Sequence, residues 1–368
     1  MPSLFDPIEF GAIHAKNRIV MAPLTRGRSE GPHVPVSALK ADYYAQRAGA
    51  GLIIAEATGI SVEGLGWPSA PGIWSQEQVE AWKPVTGAVH DAGGKIILQL
   101  WHMGRLVHPD FLGGAQPVSA SATTAPGDAH TPNGKKPYEQ ARALKLEEIP
   151  RLIADYVAAA RNAMSAGFDG VQLHAANGYL IDQFLRDNSN FRDDDYGGPI
   201  ENRIRLLREV THALVQTVGA DRMSVRLSPN GETQGVDDSN PVALFTAAAA
   251  ALQEIGISFL ELREQKTFGN FGKSDVPRVS PDIRKVFKAP LVLNQEYTLE
   301  SATADLESGL ADAISFGRKF ISNPDLPTRL ANGFELAPDN LRTWYTPGPE
   351  GYTDYPTYSA LVDAATGS

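Results

Sequence analysis

Three residues within one short stretch combine hydrogen-bond donation with proton delivery. His174, Asn177 and Tyr179 follow an apolar run at residues 170–174 that is typical of a buried β-strand. An imidazole and a carboxamide can both donate hydrogen bonds to one substrate oxygen, and a phenol carries a weakly acidic proton for a neighbouring carbon. A single histidine after a strand is more often structural, so this interpretation depends on a scaffold that gathers several such groups.

Eight short apolar runs, most of them followed by a helical pattern, predict that scaffold. Their lack of polar alternation is typical of parallel strands buried on both faces. We therefore predict one α/β domain over residues 1–368, a (β/α)8 TIM barrel. The predicted strands are residues 18–22, 51–57, 95–100, 170–174, 223–227, 257–262, 290–293 and 313–316, and the predicted helices are residues 43–48, 76–92, 149–166, 200–218, 241–255 and 299–308.

Two segments outside this alternation predict additions to the barrel. Residues 8–18 precede the first strand, and we expect an N-terminal hairpin there that plugs the lower end of the barrel. Residues 104–146 follow the third strand and are rich in Gly, Pro, Ser and Thr. This segment is too long for an ordinary connection, so it predicts a capping insertion over the barrel mouth.

Composition narrows the class of protein. The 368 residues carry a formal net charge of -10, which disfavours nucleic acid and anionic membranes as partners and favours a small molecule. No cysteine is present, so disulfides, thiolate nucleophiles and zinc-thiolate sites are excluded, and we expect no bound metal. The first residues lack a signal-peptide pattern and no apolar stretch spans a bilayer, from which we expect a cytoplasmic protein.

The ends of the predicted strands carry unusually polar residues, and TIM barrels place their chemistry there. Gln99 and Arg226 are suited to pair with the edge of a heteroaromatic ring and to stabilise negative charge on it. Gly317 and Arg318 follow the last strand, where barrels often bind phosphate. The alternative for Arg318 is an ion pair with a surface carboxylate.

Five motifs in order resemble the old yellow enzymes, a family of FMN-containing ene reductases. They read NRIVMAPLT at residues 17–25, QLWHMGR at 99–105, HAANGYL at 174–180, DYGGPIENR at 195–203, and FGR at 316–318 with NPDL at 323–326. Thr25 stands where other branches carry cysteine, which places the chain with the cysteine-free branch. The resemblance implies tightly bound, non-covalent FMN, NADPH or NADH as reductant, and a monomer or homodimer.

The resemblance also implies a role for each candidate residue. His174 and Asn177 would bind the substrate oxygen, and Tyr179 would protonate the α carbon after hydride reaches the β carbon from reduced FMN. The flavin would be held by Pro23, Leu24, Thr25, Ala57, Gln99, Arg226, Asn294, Gln295, Gly317 and Arg318. The substrate pocket would be shaped by Trp67, Trp101, Gln234 and Tyr345.

Three departures from the family pattern bear on specificity and on the phosphate site. Many relatives have a second histidine at the position of Asn177 and a tyrosine at that of Trp67. The stretch Asn294 to Glu296 replaces a glycine-bearing one, and Glu296 beside a phosphate is repulsive unless its side chain points away, so we expect only backbone contacts there.

The leading prediction is an NAD(P)H-dependent FMN ene reductase that acts on activated alkenes such as enones, enals, maleimides and nitroalkenes. Two alternatives remain at this point. One is a flavin-free barrel lyase or isomerase on a phosphorylated substrate, with Arg226 and Arg318 on the phosphate and His174 as base. The other is a flavin-binding interaction protein without turnover.

Overall fold

Eight parallel strands close into a barrel in the computed structural model, which describes residues 2–266 and 274–366. The strands pair in chain order, and the last strand pairs with the first. The (β/α)8 prediction is therefore confirmed. The barrel strands are β1 Ile19–Met21, β2 Leu52–Gly59, β3 Ile96–Trp101, β4 Val171–His174, β5 Met223–Leu227, β6 Phe259–Arg263, β7 Leu291–Asn294 and β8 Ala313–Phe316.

Helices surround the barrel and begin and end at residues suited to those positions. Ser75 and Gln78 form a capping box at the start of the helix after β2, and Asn240 caps the helix after β5, which ends at left-handed Gly256. The helices are α1 Ser37–Ala45, α2 Gln76–Asp91, α3 Ile149–Ser165, α4 Leu180–Leu185, α5 Ile200–Arg203, α6 Arg205–Val218, α7 Pro241–Ile255, α8 Ser280–Val286, α9 Leu299–Glu307, α10 Arg318–Ser322, α11 Leu326–Asn332 and α12 Tyr358–Thr366.

The predicted helices differ from the observed ones mainly at their ends. The helix predicted for residues 43–48 lies at Ser37–Ala45, and the one predicted for residues 200–218 is interrupted at Ile204. Interruption at Ile204 separates α5 from α6, whose apolar face packs on the barrel. None of the helices in residues 2–266 and 274–366 combines the length and apolar character needed to cross a membrane.

The lower end of the barrel is filled by a layer of apolar side chains, and we call this set of residues the lower layer. Its barrel members are Val20, Leu52, Ile54, Ile97, Phe259, Val292 and Ala313. Strands Ile8–Phe10 and Ile13–Ala15 pair as an antiparallel hairpin whose apolar side chains join this layer. The rings of Phe10 and Phe259 lie 4.9 Å apart, so the hairpin closes the barrel as predicted.

A layer of polar side chains lies above the lower layer, and we call this set of residues the upper layer. It comprises the inward-facing residues Gln99, Gln172, Arg226, Glu261, Asn294 and Ser315, all of them buried. Burial of this many polar groups is costly unless they bond to one another or to a ligand. The same strands therefore carry apolar residues at one end of the barrel and hydrogen-bonding residues towards the other.

The segment after β3 folds over the barrel mouth. It contains a short antiparallel hairpin, Asp128–Thr131 with Gly134–Pro137, and a parallel bridge between Val118–Ser119 and Arg142–Ala143. Leu106, Val107 and Ala125 from this segment pack with Trp101, and Tyr179 lies against the same cluster. The segment thus covers the side of the mouth where β3 and β4 end.

Candidate active site

One large pocket opens at the carboxyl ends of the strands. Its volume is about 800 Å³, within the range of cofactor and ligand sites. Twelve of the residues expected to bind cofactor or substrate line it. They are Pro23, Leu24, Thr25, Asn177, Tyr179, Arg226, Gln234, Asn294, Gln295, Gly317, Arg318 and Tyr345.

The structure brings His174 and Tyr179 together beside Trp101. The ring centroids of His174 and Tyr179 are 4.9 Å apart with the rings nearly perpendicular, and those of Trp101 and Tyr179 are 5.0 Å apart. His174 is the last residue of β4, and Tyr179 immediately precedes α4. A strand end and a helix start therefore fix both side chains, whereas Trp101 holds the phenol from the β3 side.

Burial sets the protonation states of both groups. The pKa of His174 lies well below its usual value because burial disfavours the imidazolium, with Arg226 and Arg263 adding repulsion. Burial also raises the pKa of Tyr179 to about 12, although a hydrogen bond with Gln234 works in the opposite direction. At neutral pH the site therefore offers a neutral imidazole and a protonated phenol.

His174 has an unused polar atom. Its Nδ1 is buried and has no hydrogen-bond partner among the residues that the structure describes. A buried imidazole nitrogen without a partner is expensive, so such an atom points to a ligand that completes the site.

Asn177 is held by three other residues. Its backbone N–H donates to Ser228 Oγ at 2.8 Å, and its carbonyl accepts from Gln234 Nε2 at 2.8 Å. Its side-chain Oδ1 accepts from Arg263 Nη1 at 2.9 Å. Because the bond from Arg263 uses the acceptor end of the carboxamide, its Nδ2 donor is the end that remains for a ligand.

A hydrogen-bonded chain runs through the upper layer. Gln99 Nε2 donates to Gln172 Oε1 at 2.8 Å, and Gln172 Nε2 donates to the Glu261 carboxylate at 3.0 Å. Arg226 Nε lies 3.4 Å from Glu261 Oε2, and Arg226 Nη2 donates to Asn294 Oδ1 at 2.8 Å. Glu261 is thus the carboxylate that the buried Arg226 requires, and as an acceptor it orients both carboxamides.

The pocket is also where the backbone is strained. Six non-glycine residues of the described chain have φ between 49° and 118°, and four of them line this pocket. These are Asn177, Gln234, Gln295 and Glu296. Glycine adopts positive φ without this strain, whereas Gln295 and Glu296 hold φ at 118° and 49°. Strain of this kind costs about 1–3 kcal/mol per residue and is typical of functional sites.

Arg318 has the ion pair that the alternative interpretation anticipated. Its Nη2 lies 3.5 Å from Asp339 Oδ1, and its guanidinium lies 5.1 Å from the ring of Trp344. Arg318 nevertheless lines the pocket together with Gly317, at the start of α10. The guanidinium of Arg318 therefore places a positive charge at the edge of the pocket, even though it pairs with Asp339.

Five expected site residues do not line the pocket directly. Gln99 lies within the upper layer, and His174 is buried beside Tyr179. Ala57 lies within a register shift in β2 and packs in the same cluster as Trp101, which does not line the pocket either. Trp67 lies 5.5 Å from Tyr345 and 5.0 Å from His130, ring centroid to ring centroid.

Two residues near the site had no role in the sequence interpretation. Arg263 is the last residue of β6, and its bond to Asn177 joins positions far apart in the chain. Arg26 is buried and donates to the carbonyls of Trp344 and Gly351, so it anchors the C-terminal segment that carries Tyr345. Local sequence patterns give no signal for such long-range contacts.

The donor set fits FMN. The upper layer offers carboxamides and a guanidinium beside the pocket, which suit the polar edge of a flavin ring and negative charge on it. The buried Ser315 Oγ, like His174 Nδ1, has no hydrogen-bond partner among the described residues, so both leave capacity for a ligand.

The fold and this pocket define a flavin-dependent barrel oxidoreductase, and comparison with known proteins gives the family. Residues 3–337 match the NADH:flavin oxidoreductase / NADH oxidase family. The chain is 64% identical to an old yellow enzyme homologue from Zymomonas mobilis, NCR, with a TM-score of 0.95 over 96% of this chain and 99% of that one.

Two further relatives support the same family. The structure of morphinone reductase in complex with tetrahydroNAD is 41% identical with a TM-score of 0.91, covering 97% of this chain and 98% of that chain. Chanoclavine-I aldehyde reductase fgaOx3 of Penicillium roqueforti is 45% identical over 365 residues, or 96% of each chain. The chain belongs to the old yellow enzyme family.

Family membership decides between the sequence-based alternatives. The chain is an FMN-dependent oxidoreductase of the ene reductase type that uses a nicotinamide reductant. The flavin-free lyase or isomerase and the flavin-binding protein without turnover are both disfavoured by the same comparisons.

Proposed function

We propose that this enzyme reduces the activated C=C bond of α,β-unsaturated carbonyl or nitro compounds, with NADPH or NADH as the source of electrons. The observation that carries the proposal is the group of side chains at the end of β4. There a protonated phenol and an oriented carboxamide line one pocket, and a neutral imidazole lies against the phenol. These are the groups that bind a carbonyl or nitro oxygen and deliver one proton.

His174 and Asn177 form the oxygen site. Reduction of the double bond builds negative charge on the substrate oxygen, and both residues have a donor for it. Asn177 uses its Oδ1 on Arg263, so its Nδ2 is available, and a neutral imidazole donates from one ring nitrogen. Each preorganised donor of this kind contributes about 3 kcal/mol to transition-state stabilisation.

Tyr179 supplies the proton. The phenol is held against His174 and Trp101, and a pKa raised to about 12 keeps it protonated at neutral pH. It therefore acts as an acid towards the α carbon and not as a base. Positioned proton transfer of this type contributes roughly 100-fold to 10,000-fold in rate.

FMN, when bound, supplies hydride chemistry that no side chain of this chain provides. We assign its ring to Pro23, Leu24, Thr25, Ala57, Gln99 and Arg226, and its phosphate to Gly317, Arg318 and the backbone at Asn294 and Gln295. The side chain of Asn294 bonds to Arg226 and to the Ser315 carbonyl, which supports a backbone role at that position.

The remaining walls of the pocket define substrate shape. Gln234 and Tyr345 line it, and the ring of Trp67 packs on that of Tyr345. Trp101 closes the side nearest Tyr179. We assign these four residues to substrate size and orientation.

The test is the visible absorption spectrum of the purified protein under anaerobic conditions. NADPH is added first and 2-cyclohexenone second. We expect a flavin band that bleaches with NADPH and returns with the enone. A band that bleaches and does not return with any enone, enal, maleimide or nitroalkene would contradict the proposed substrate class.

A further inference from the structure

The contact between Arg263 and Asn177 has a consequence for how the substrate is held. Arg263 is the last residue of β6, and Asn177 lies in the loop after β4. A guanidinium carries donors and no acceptor, so the atom of Asn177 that it contacts must be the carbonyl oxygen of the side chain. The contact therefore fixes which end of the carboxamide points away from Arg263.

The backbone of Asn177 is fixed independently of Arg263. Ser228 Oγ accepts from its N–H, and Gln234 Nε2 donates to its carbonyl. These two bonds hold φ at 59°, in the left-handed region. What they leave undetermined is rotation of the side chain, and a carboxamide has nearly the same shape in its two orientations.

Arg263 is itself held in place. Its Nε donates to Gln295 Oε1 at 3.1 Å, so the guanidinium bridges the residue after β7 and the loop after β4. Burial, with repulsion from Arg226, lowers the pKa of Arg263 to about 10, which leaves it charged at neutral pH. A fixed, charged donor gives the stronger class of hydrogen bond to a carbonyl oxygen.

We propose that Arg263 is a positioning residue that sets the orientation of the Asn177 carboxamide, so that Nδ2 and not Oδ1 faces the substrate oxygen. This inference rests on the proposed role of Asn177 as a donor to that oxygen. In the opposite orientation Oδ1 would face the substrate oxygen, and two acceptors would repel each other. Arg263 thereby determines whether Asn177 stabilises or opposes the negative charge that develops there.

The experiment is a double-mutant cycle on Arg263→Met and Asn177→Ala, measured as the affinity for phenol by calorimetry at neutral pH. Phenol presents one oxygen to the same donors and undergoes no turnover. We expect each single variant to bind phenol about tenfold more weakly. In the Asn177→Ala background, Arg263→Met should change the affinity by less than about twofold, because no carboxamide remains to be oriented.

The cycle separates this inference from the function on which it rests. Unchanged affinity in Asn177→Ala would remove Asn177 from the oxygen site, and with it the proposed function of that residue. If Asn177→Ala binds phenol more weakly but the losses of affinity from Asn177→Ala and Arg263→Met simply add in the double variant, only the positioning role of Arg263 is overturned. Additive effects are also what the charge of Arg263 would give if it acted on the ligand directly.

Two controls keep the result interpretable. Arg284→Met removes another arginine, which pairs with Asp312 outside the pocket, and should leave phenol affinity unchanged. If Arg263→Met does not retain FMN, Arg263→Lys takes its place in the same cycle. The criterion is again an effect in the wild-type background that disappears in the Asn177→Ala background.

Discussion

The two ends of the barrel are built from the same strands for different tasks. Strand β6 shows the contrast within five residues, since Phe259 belongs to the apolar lower layer, Glu261 to the polar upper layer, and Arg263 to the pocket. The lower layer is complete in itself because the hairpin fills it. Ser315 in the upper layer and His174, the β4 register partner of Arg226, each have a buried atom without a hydrogen-bond partner among the described residues, which indicates that a ligand completes this end.

The contrast explains how one fold supports both stability and chemistry. Apolar packing at the lower end contributes free energy of folding without directional requirements. Buried polar groups at the upper end contribute orientation, at a cost in desolvation that their mutual bonds offset. Substitutions at the two ends should therefore separate stability from activity.

The largest effect on stability is expected from Phe10→Ala at the lower end. Phe10 is fully buried and packs on Phe259, so a large cavity should lower the free energy of unfolding by about 3–5 kcal/mol. Urea denaturation measures this loss. Turnover by the folded fraction should remain within about twofold of wild type, and a large loss of turnover without a loss of stability would contradict the division between the layers.

His174→Ala should weaken ligand binding and leave the stability of the fold largely intact. We expect a loss of about 3 kcal/mol in the affinity for phenol, or roughly 100-fold, since one preorganised donor is removed. Calorimetric titration measures it, with His14→Ala as the matched control because His14 is exposed on the hairpin. Equal phenol affinity in wild type and His174→Ala would exclude His174 from the oxygen site.

Glu261→Gln tests the chain within the upper layer. The substitution removes a negative charge beside Arg226, so it should favour the reduced, more negative flavin by about tenfold, or ~1.4 kcal/mol. Equilibration of the flavin against a redox dye measures the shift. Asp282→Asn on α8 is the control, and a shift towards the oxidised flavin in Glu261→Gln would refute the assignment.

The smallest effect is expected from pH. The Tyr179 proton is present below its pKa, and because burial raises that pKa to about 12 the proton is lost only at strongly alkaline pH. Burial lowers the pKa of His174 well below its usual value, so its imidazole does not gain a proton near neutral pH. Alkene reduction by pre-reduced enzyme should change by less than about twofold between pH 6 and 9, whereas a bend in that interval would contradict these protonation states.

Much of this architecture could be predicted because it depends on local patterns. Each barrel strand contains a short apolar run, and the predicted strands at residues 223–227 and 313–316 match β5 and β8 at both ends. His174, Asn177 and Tyr179 lie within six positions at the end of one strand, so their proximity could be predicted from the sequence.

The remainder depends on contacts between distant parts of the chain. Arg263 and Asn177 are 86 positions apart, and nothing local predicts that one orients the other. The chain from Gln99 through Gln172 to Glu261 crosses strands β3, β4 and β6 and has no sequence periodicity. Helices α4 and α10 are too short for a helical pattern to distinguish them from loops.

The assignment of Tyr179 as the proton donor in alkene reduction is tested most directly by single-turnover kinetics of Tyr179→Phe. The variant is first reduced by NADPH and then mixed anaerobically with 2-cyclohexenone. The account predicts flavin reduction close to that of wild type and reoxidation by the enone slower by roughly 100-fold to 10,000-fold, because the proton donor is absent. Equal loss in both steps, or no loss in reoxidation, would contradict the assignment of Tyr179 as the acid.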